Sequence, residues 1–192
     1  MRERKLETLK RKLRRHLDKE RYEHTLGVMY TAATLAMSYG VDMEKALLAG
    51  LLHDCAKCIS GNRKLRLCKK YGLSVNQAEE RNLGLLHAKL GAYIAAKKYK
   101  VQDQEVLDAI CYHTTGRPNM TLLDKIIYIA DYIEPNRFAA PNLGDARHLA
   151  FVDIDACLYM ILKDSLEYLK TKSEAIDPMT AETFQYYQEE RK

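Results

Sequence analysis

Six side-chain positions stand out because they could share one chemistry: His24, His53, Asp54, His87, His113 and Asp131. His53-Asp54 interrupts an apolar run, residues 45 to 52, just where plain core would otherwise continue. At helical spacing His24 shares a face with Val28, Thr31 and Leu35, and His87 lines up with Gly91 and Ile94. His113 follows Ala109 and Ile110, one turn before the stop signal Thr114-Thr115-Gly116-Arg117-Pro118. Asp131 lies four residues after Ile127 in an almost wholly apolar segment. Burying four imidazoles and two carboxylates without partners is costly. Neutral imidazole and ionised carboxylate are both good ligands for a divalent transition metal, so a shared metal centre would satisfy the set. The alternative for any single one is a core histidine bonded to a carbonyl or a tyrosine.

These residues need helices to carry them. Leu6, Leu9, Leu13 and Leu17 form an amphipathic stripe, predicting a basic first helix over 3–19. A second helix is expected over 20–39, stopped by Gly40, and a third after the cap Asp42. A short basic helix near 63–70 precedes the turn 71–74, and the His87 helix runs to about residue 99. Asp103 caps the His113 helix; Thr121 and Asp124 have capping-box spacing at the start of the Asp131 helix, which Pro135 ends. Residues 136–150 read as loop and short turn, 153–169 as helix, and Asp177-Pro178 as the start of a final helix. No segment alternates as strands do, so the fold class is all-α, one helical bundle over 1–192.

The 192 residues suit one domain with a sizeable core, and no apolar run approaches a membrane span. The N-terminus has no signal-peptide pattern, so a cytoplasmic protein without a membrane partner is expected. Net charge is +5, but ten basic and four acidic residues fall in 1–21, leaving the rest near neutral. That charge is read as a solvated helix face, and nucleic acid is not the expected partner. The five scattered cysteines, including Cys55 and Cys58 in a C-x-x-C, read as reduced.

The order His24 … His53-Asp54 … Asp131 resembles the HD-domain metal-dependent phosphohydrolases. Longer stretches resemble the YqeK-type branch, the symmetrical dinucleoside-tetraphosphate hydrolases: Arg21-Tyr22-x-His24-Thr25-x-Gly27-Val28, His53-Asp54-x-Ala56-Lys57, His87-Ala88-x-x-Gly91-Ala92-Tyr93, residues 112–118 and residues 129–137. The likeness spans about residues 5–188. Lys89 departs from it, standing where the pattern has proline, and 62–70 is unusually basic. The resemblance implies a bundle of the HD type, with a basic N-terminal helix, a metal-site core over about 20–137 and C-terminal helices over about 145–188. It also implies hydrolysis of diadenosine tetraphosphate to two ADP, an iron centre of one or two metals, with manganese or zinc as alternatives, and a homodimer.

Carried over by position, His24, His53, Asp54 and Asp131 are expected to hold the principal metal. His87 and His113 would hold a second metal bridged by Asp54, or contact phosphate. Lys57, Thr114, Thr115 and Arg137 would bind the polyphosphate, Arg137 otherwise pairing with Asp145, and Ile176 would lie by the base. Catalysis would use a metal-activated water oriented by Asp54 and Lys57. Tyr22, Tyr93 and Tyr112 would pack nearby with hydroxyls supporting the ligands. Two alternatives are an HD nucleotidase or phosphodiesterase acting on mononucleotides or cyclic dinucleotides, and a non-catalytic metal-containing adaptor that binds RNA.

Overall fold

The computed structural model describes residues 3–172 and 176–191 of the chain. Among them lie eleven helices and no strand. In order they are α1 (Glu3–Arg14), α2 (Lys19–Tyr39), α3 (Met43–Leu52), α4 (Gly61–Lys70), α5 (Gln77–Arg81), α6 (His87–Lys97), α7 (Gln104–Tyr112), α8 (Leu122–Ile133), α9 (Leu143–Leu149), α10 (Ile154–Thr171) and α11 (Pro178–Glu189).

Aspartate starts most of the long helices. Asp18, Asp42, Asp103, Asp153 and Asp177 each accept a backbone N–H of the first turn, satisfying donors that have no partner inside a helix. Thr121 and Asp124 form the expected capping box of α8. Gly40 closes α2 at φ 68°, a left-handed conformation that suits glycine.

Three elements differ from the expectation. α1 ends at Arg14 rather than near 19, because Asp18 caps α2 and ends the preceding turn; Leu17 still joins the buried stripe with Leu9 and Leu13. α5 is a five-residue helix held by the Asn76–Glu79 capping box, too short for periodicity to reveal. α9 occupies part of the region read as loop. Its Arg147 donates to the carbonyls of Ile133, Glu134 and Arg137, so tertiary bonds hold the helix where local propensity does not.

α8 is the central helix, with Leu123, Ile126, Ile127, Ile129 and Ala130 fully buried; a helix apolar on nearly every side belongs in the middle. α2 packs on α3 and α8, α7 on α6, α3 and α8, and α10 on α8 and α11. α2 and α3 approach closely at Gly50, where a Cβ would stand 2.8 Å from the Met29 Cα. No helix is long and apolar enough to cross a membrane.

Candidate metal centre

Five helices bring the six singled-out residues to one point. His24 comes from the middle of α2, His53 from the C-cap of α3 with Asp54 just beyond it, and His87 from the start of α6. His113 caps the end of α7, and Asp131 comes from the last turn of α8. Three of the histidines share a local device. The Nδ1 atoms of His53, His87 and His113 lie 2.7, 2.6 and 2.7 Å from the carbonyls of Gly50, Gly84 and Ile110, each three residues back. A carbonyl only accepts, so Nδ1 carries the hydrogen and Nε2 is left as a bare lone pair. His24 has the same tautomer by another route, with Nδ1 3.1 Å from Glu134 Oε1.

The bare nitrogens point at carboxylate oxygens. His24 Nε2 lies 3.1 Å from Asp131 Oδ1 and 3.9 Å from Asp54 Oδ2. His53 Nε2 is 3.5 Å from Asp54 Oδ2. On the other side of the same carboxylate, Oδ1 is 3.1 Å from His87 Nε2 and 3.7 Å from His113 Nε2. Asp54 is thus central, almost wholly buried and faced by imidazoles from two sides. Two triads, His24-His53-Asp131 and His53-Asp54-His113, each keep their ligand atoms within 4.8 Å of one another.

Acceptor facing acceptor is unfavourable unless something positive lies between. His24 Nε2, His53 Nε2 and Asp54 Oδ1 are buried without a hydrogen-bond partner, each of which would otherwise cost free energy. A divalent cation fits that donor set.

The charges agree with this. Burial alone would raise the Asp54 carboxyl, but His53, His113 and His87 hold it well below the usual carboxylate range. Asp131 is likewise held down, burial being outweighed by His24 first and then by His53, His113 and Arg137. Burial pushes His87 down to about 4, against the pull of Asp54, so it stays a neutral donor. His24 moves up: burial lowers it, but Asp131 and Glu134 together outweigh that.

The model of the HD domain matches residues 21–136, the span that contains all six residues. The chain belongs to the HD-domain family. As an HD domain it implies a bound divalent metal, which the two triads could hold. It is 40% identical over 174 residues to the symmetrical bis(5'-nucleosyl)-tetraphosphatase of Bacillus subtilis, covering 91% of this chain and 92% of that one. Its identity to the enzyme of the same name from Halalkalibacterium halodurans is 42% over 171 residues, covering 88% and 89%. The fold matches a crystal structure described as a predicted HD superfamily hydrolase involved in NAD metabolism from Clostridium acetobutylicum. The TM-score is 0.92 at 40% identity, covering 97% of each chain.

A polar rim of this HD domain surrounds the six residues. Lys57 Nζ donates to His87 Nε2 at 3.2 Å and stands 3.9 Å from Asp54 Oδ1. Thr114 Oγ1 lies 3.3 and 3.1 Å from Nε2 of His87 and His113. Arg137 pairs with Asp131, at 3.0 Å to both its Oδ1 and its carbonyl, rather than with Asp145. Thr115 turns away and donates to Gly116 O. Ile176 is half-buried beside Asp177 but lines none of the three cavities described below. The tyrosines do not support the ligands through their hydroxyls: Tyr93 stacks on Tyr71 and Tyr112 carries the Arg117 guanidinium, while Tyr22 packs against the core.

Two contributors were given no role in the sequence reading, though both lie in the stretches that carry the resemblance. Glu134 (2% exposed) orients His24, accepts from Asn136 N at 2.7 Å, and occupies space that exists because Gly27 has no side chain. Arg21 donates to Asp54 Oδ2 at 2.8 Å. Each lies three residues from an expected ligand, Arg21 before His24 and Glu134 after Asp131, so helical spacing placed them beside the site.

Three cavities open at this centre. A cleft of about 230 Å³ is lined by Lys57, His113, Asp131 and Arg137. A second of about 390 Å³ shares Thr114, Tyr132, Arg137 and Ser165 with it. A third, of about 540 Å³, meets the cleft at Thr114 and extends between α6 and α11.

Proposed function

We infer that the chain is a metal-dependent hydrolase that splits diadenosine tetraphosphate and similar dinucleoside polyphosphates symmetrically, releasing nucleoside diphosphates. The supporting observation is the inward-facing set of bare imidazole nitrogens and carboxylate oxygens, found in a chain so similar over nine-tenths of its length to symmetrical tetraphosphatases. His24, His53, Asp54 and Asp131 are assigned to the principal cation, with iron preferred and manganese or zinc compatible with the same donors. When bound, such a cation supplies positive charge to a phosphoryl oxygen and lowers the pKa of an attacking water.

The protein's own groups do the rest. Asp54, with Arg21 on one oxygen and Lys57 near the other, is placed to orient the attacking water. Lys57, about one-third exposed at the mouth, and Arg137 bring positive charge to the polyphosphate. Thr114 adds a hydroxyl at the same spot, whereas Thr115 donates to Gly116 O and lines the 540 Å³ cavity. The departing diphosphate leaves as an anion next to the Lys57 ammonium. The 390 Å³ cavity, continuous with the cleft through Arg137 and Tyr132, receives one nucleoside. His87 and His113, together with Asp54, would hold a second cation. A homodimer and a cytoplasmic location rest on the resemblance and on the sequence alone.

Protein loaded with ferrous iron without oxygen and given diadenosine tetraphosphate should yield ADP as the single nucleotide product. Equimolar AMP and ATP, or no turnover, would overturn the reading. His87→Ala should lower the metal content per chain; unchanged content with a raised KM would make His87 a phosphate contact.

A further inference from the structure

We propose that the 540 Å³ cavity between the 73–76 loop, α6 and α11 holds the second nucleoside of the substrate, so that the site is a fork with Thr114 at its branch point. The inference rests on the tetraphosphatase reading and extends it. Symmetrical cleavage cuts the central phosphoanhydride, which leaves an equal nucleoside diphosphate on each side of the bond that breaks. A centre that does this has to accommodate two arms of equal length.

The structure has two arms. The 390 Å³ and 540 Å³ cavities have Leu85, Thr114 and Asp177 in common, and Thr114 also lines the cleft against the metal ligands. Its hydroxyl, within 3.3 Å of two imidazole nitrogens, marks where both arms reach the reacting phosphates. Both volumes fall in the usual range for small-molecule sites, about 300–1,000 Å³.

The chemistry of the larger arm suits a nucleoside and not a phosphate. Lys89 is its lining cation, and that charge is taken up by Glu79, at 2.7 Å, and by Ser74 O. Asp177 and Glu182 leave the arm acidic, which repels phosphate but offers acceptors to ribose hydroxyls and an exocyclic amine. Val75, Tyr112 and Met179 give an apolar surface for a base. The wall is fixed in place: Asn76 Nδ2 donates to Asp177 Oδ2 at 2.9 Å, tying the loop to the start of α11, and Lys89–Glu79 ties α6 to α5.

The test compares diadenosine tetraphosphate with adenosine tetraphosphate, which has the same phosphate chain and lacks the second nucleoside. The iron-loaded wild-type chain should favour the dinucleoside in kcat/KM by about tenfold, the worth of ~1.4 kcal/mol of binding. Val75→Trp and Met179→Trp, which fill the arm from two of its lining segments, should each bring that ratio close to one, chiefly by raising KM for the dinucleoside. A variant that only disturbs folding lowers both rates and leaves the ratio alone. A wild-type ratio near one, or a ratio unmoved in both variants, would overturn the proposal. Failure of the wild type to cleave either compound would instead reject the tetraphosphatase reading.

Discussion

His24 is gripped at both nitrogens, and this makes its affinity for a cation depend on pH in a calculable direction. Burial disfavours its charged form, yet Asp131 and Glu134 outweigh burial and raise its pKa above the ordinary 6.5. Proton and cation compete for Nε2, so metal affinity should fall with falling pH, and the fall should begin above pH 6.5, by about tenfold per unit once His24 is protonated. His87 behaves oppositely, since burial first, and then His113 and Lys57, bring it down to about 4, and it does not contribute to loss in that range. Chelator competition between pH 8 and 6 reads this directly; an affinity flat across the interval would contradict it. Glu134→Gln keeps an acceptor for Nδ1 but removes charge, so the onset should move to lower pH. Asp54→Ala should abolish turnover and most metal binding. It removes the carboxylate that four imidazoles face and leaves Arg21 without its partner. Metal analysis of the purified variant checks it, and wild-type metal content would refute the central place of Asp54.

At the level of helices, the site depends on two glycines that let neighbours come close. A Cβ at Gly50 would press on the Met29 backbone, which cannot yield as a side chain can. Gly50→Ala should cost about 1–3 kcal/mol of stability, seen as a lower Tm, and should disturb His53, whose ring hydrogen rests on the Gly50 carbonyl. Gly27→Ala meets the Glu134 carboxylate instead. That side chain can move, so Tm should change less while metal affinity drops with the loss of the His24–Glu134 bond. Differential scanning calorimetry with metal titration separates the two; equal effects on both quantities would show that the glycines serve packing alone. The same contrast explains what was readable in the sequence. Asp18 and Asp153 apart, the aspartate caps and the inward face of each ligand follow from local spacing, and Asp42, Asp103 and Asp177 announced their helices before any coordinates. The Glu134–His24 bond joins residues 110 apart, and α9 stands on Arg147 bonds to a distant turn, so neither is written in a local pattern. Ring orientation was equally hidden, because the carbonyls that fix it become available only once each turn has formed.

On the scale of the molecule, the metal centre is the meeting point of α2, α3, α6, α7 and α8, which come from well-separated parts of the chain. The apolar core around α8 is extensive and holds the bundle without a cation: Ile126, Ile127 and Ile129 have no exposed surface. The polar interior is different. Three buried acceptors with no donor weaken the metal-free form, and a cation bound among them stabilises the native state alone. At a metal concentration about a hundred times Kd, linkage gives roughly 2.7 kcal/mol. For a domain of this size each kcal/mol corresponds to about 2–4 °C in Tm. Chelation should therefore lower Tm by about 5–10 °C, while far-ultraviolet circular dichroism at 20 °C stays that of a helical protein. Restoring ferrous iron or manganese should recover the higher Tm, and magnesium, which prefers oxygen ligands, should recover less. A chelated sample that melts at the same temperature as the loaded one would mean that these five helices do not share a cation, and the hydrolase chemistry built on it would fall with that result.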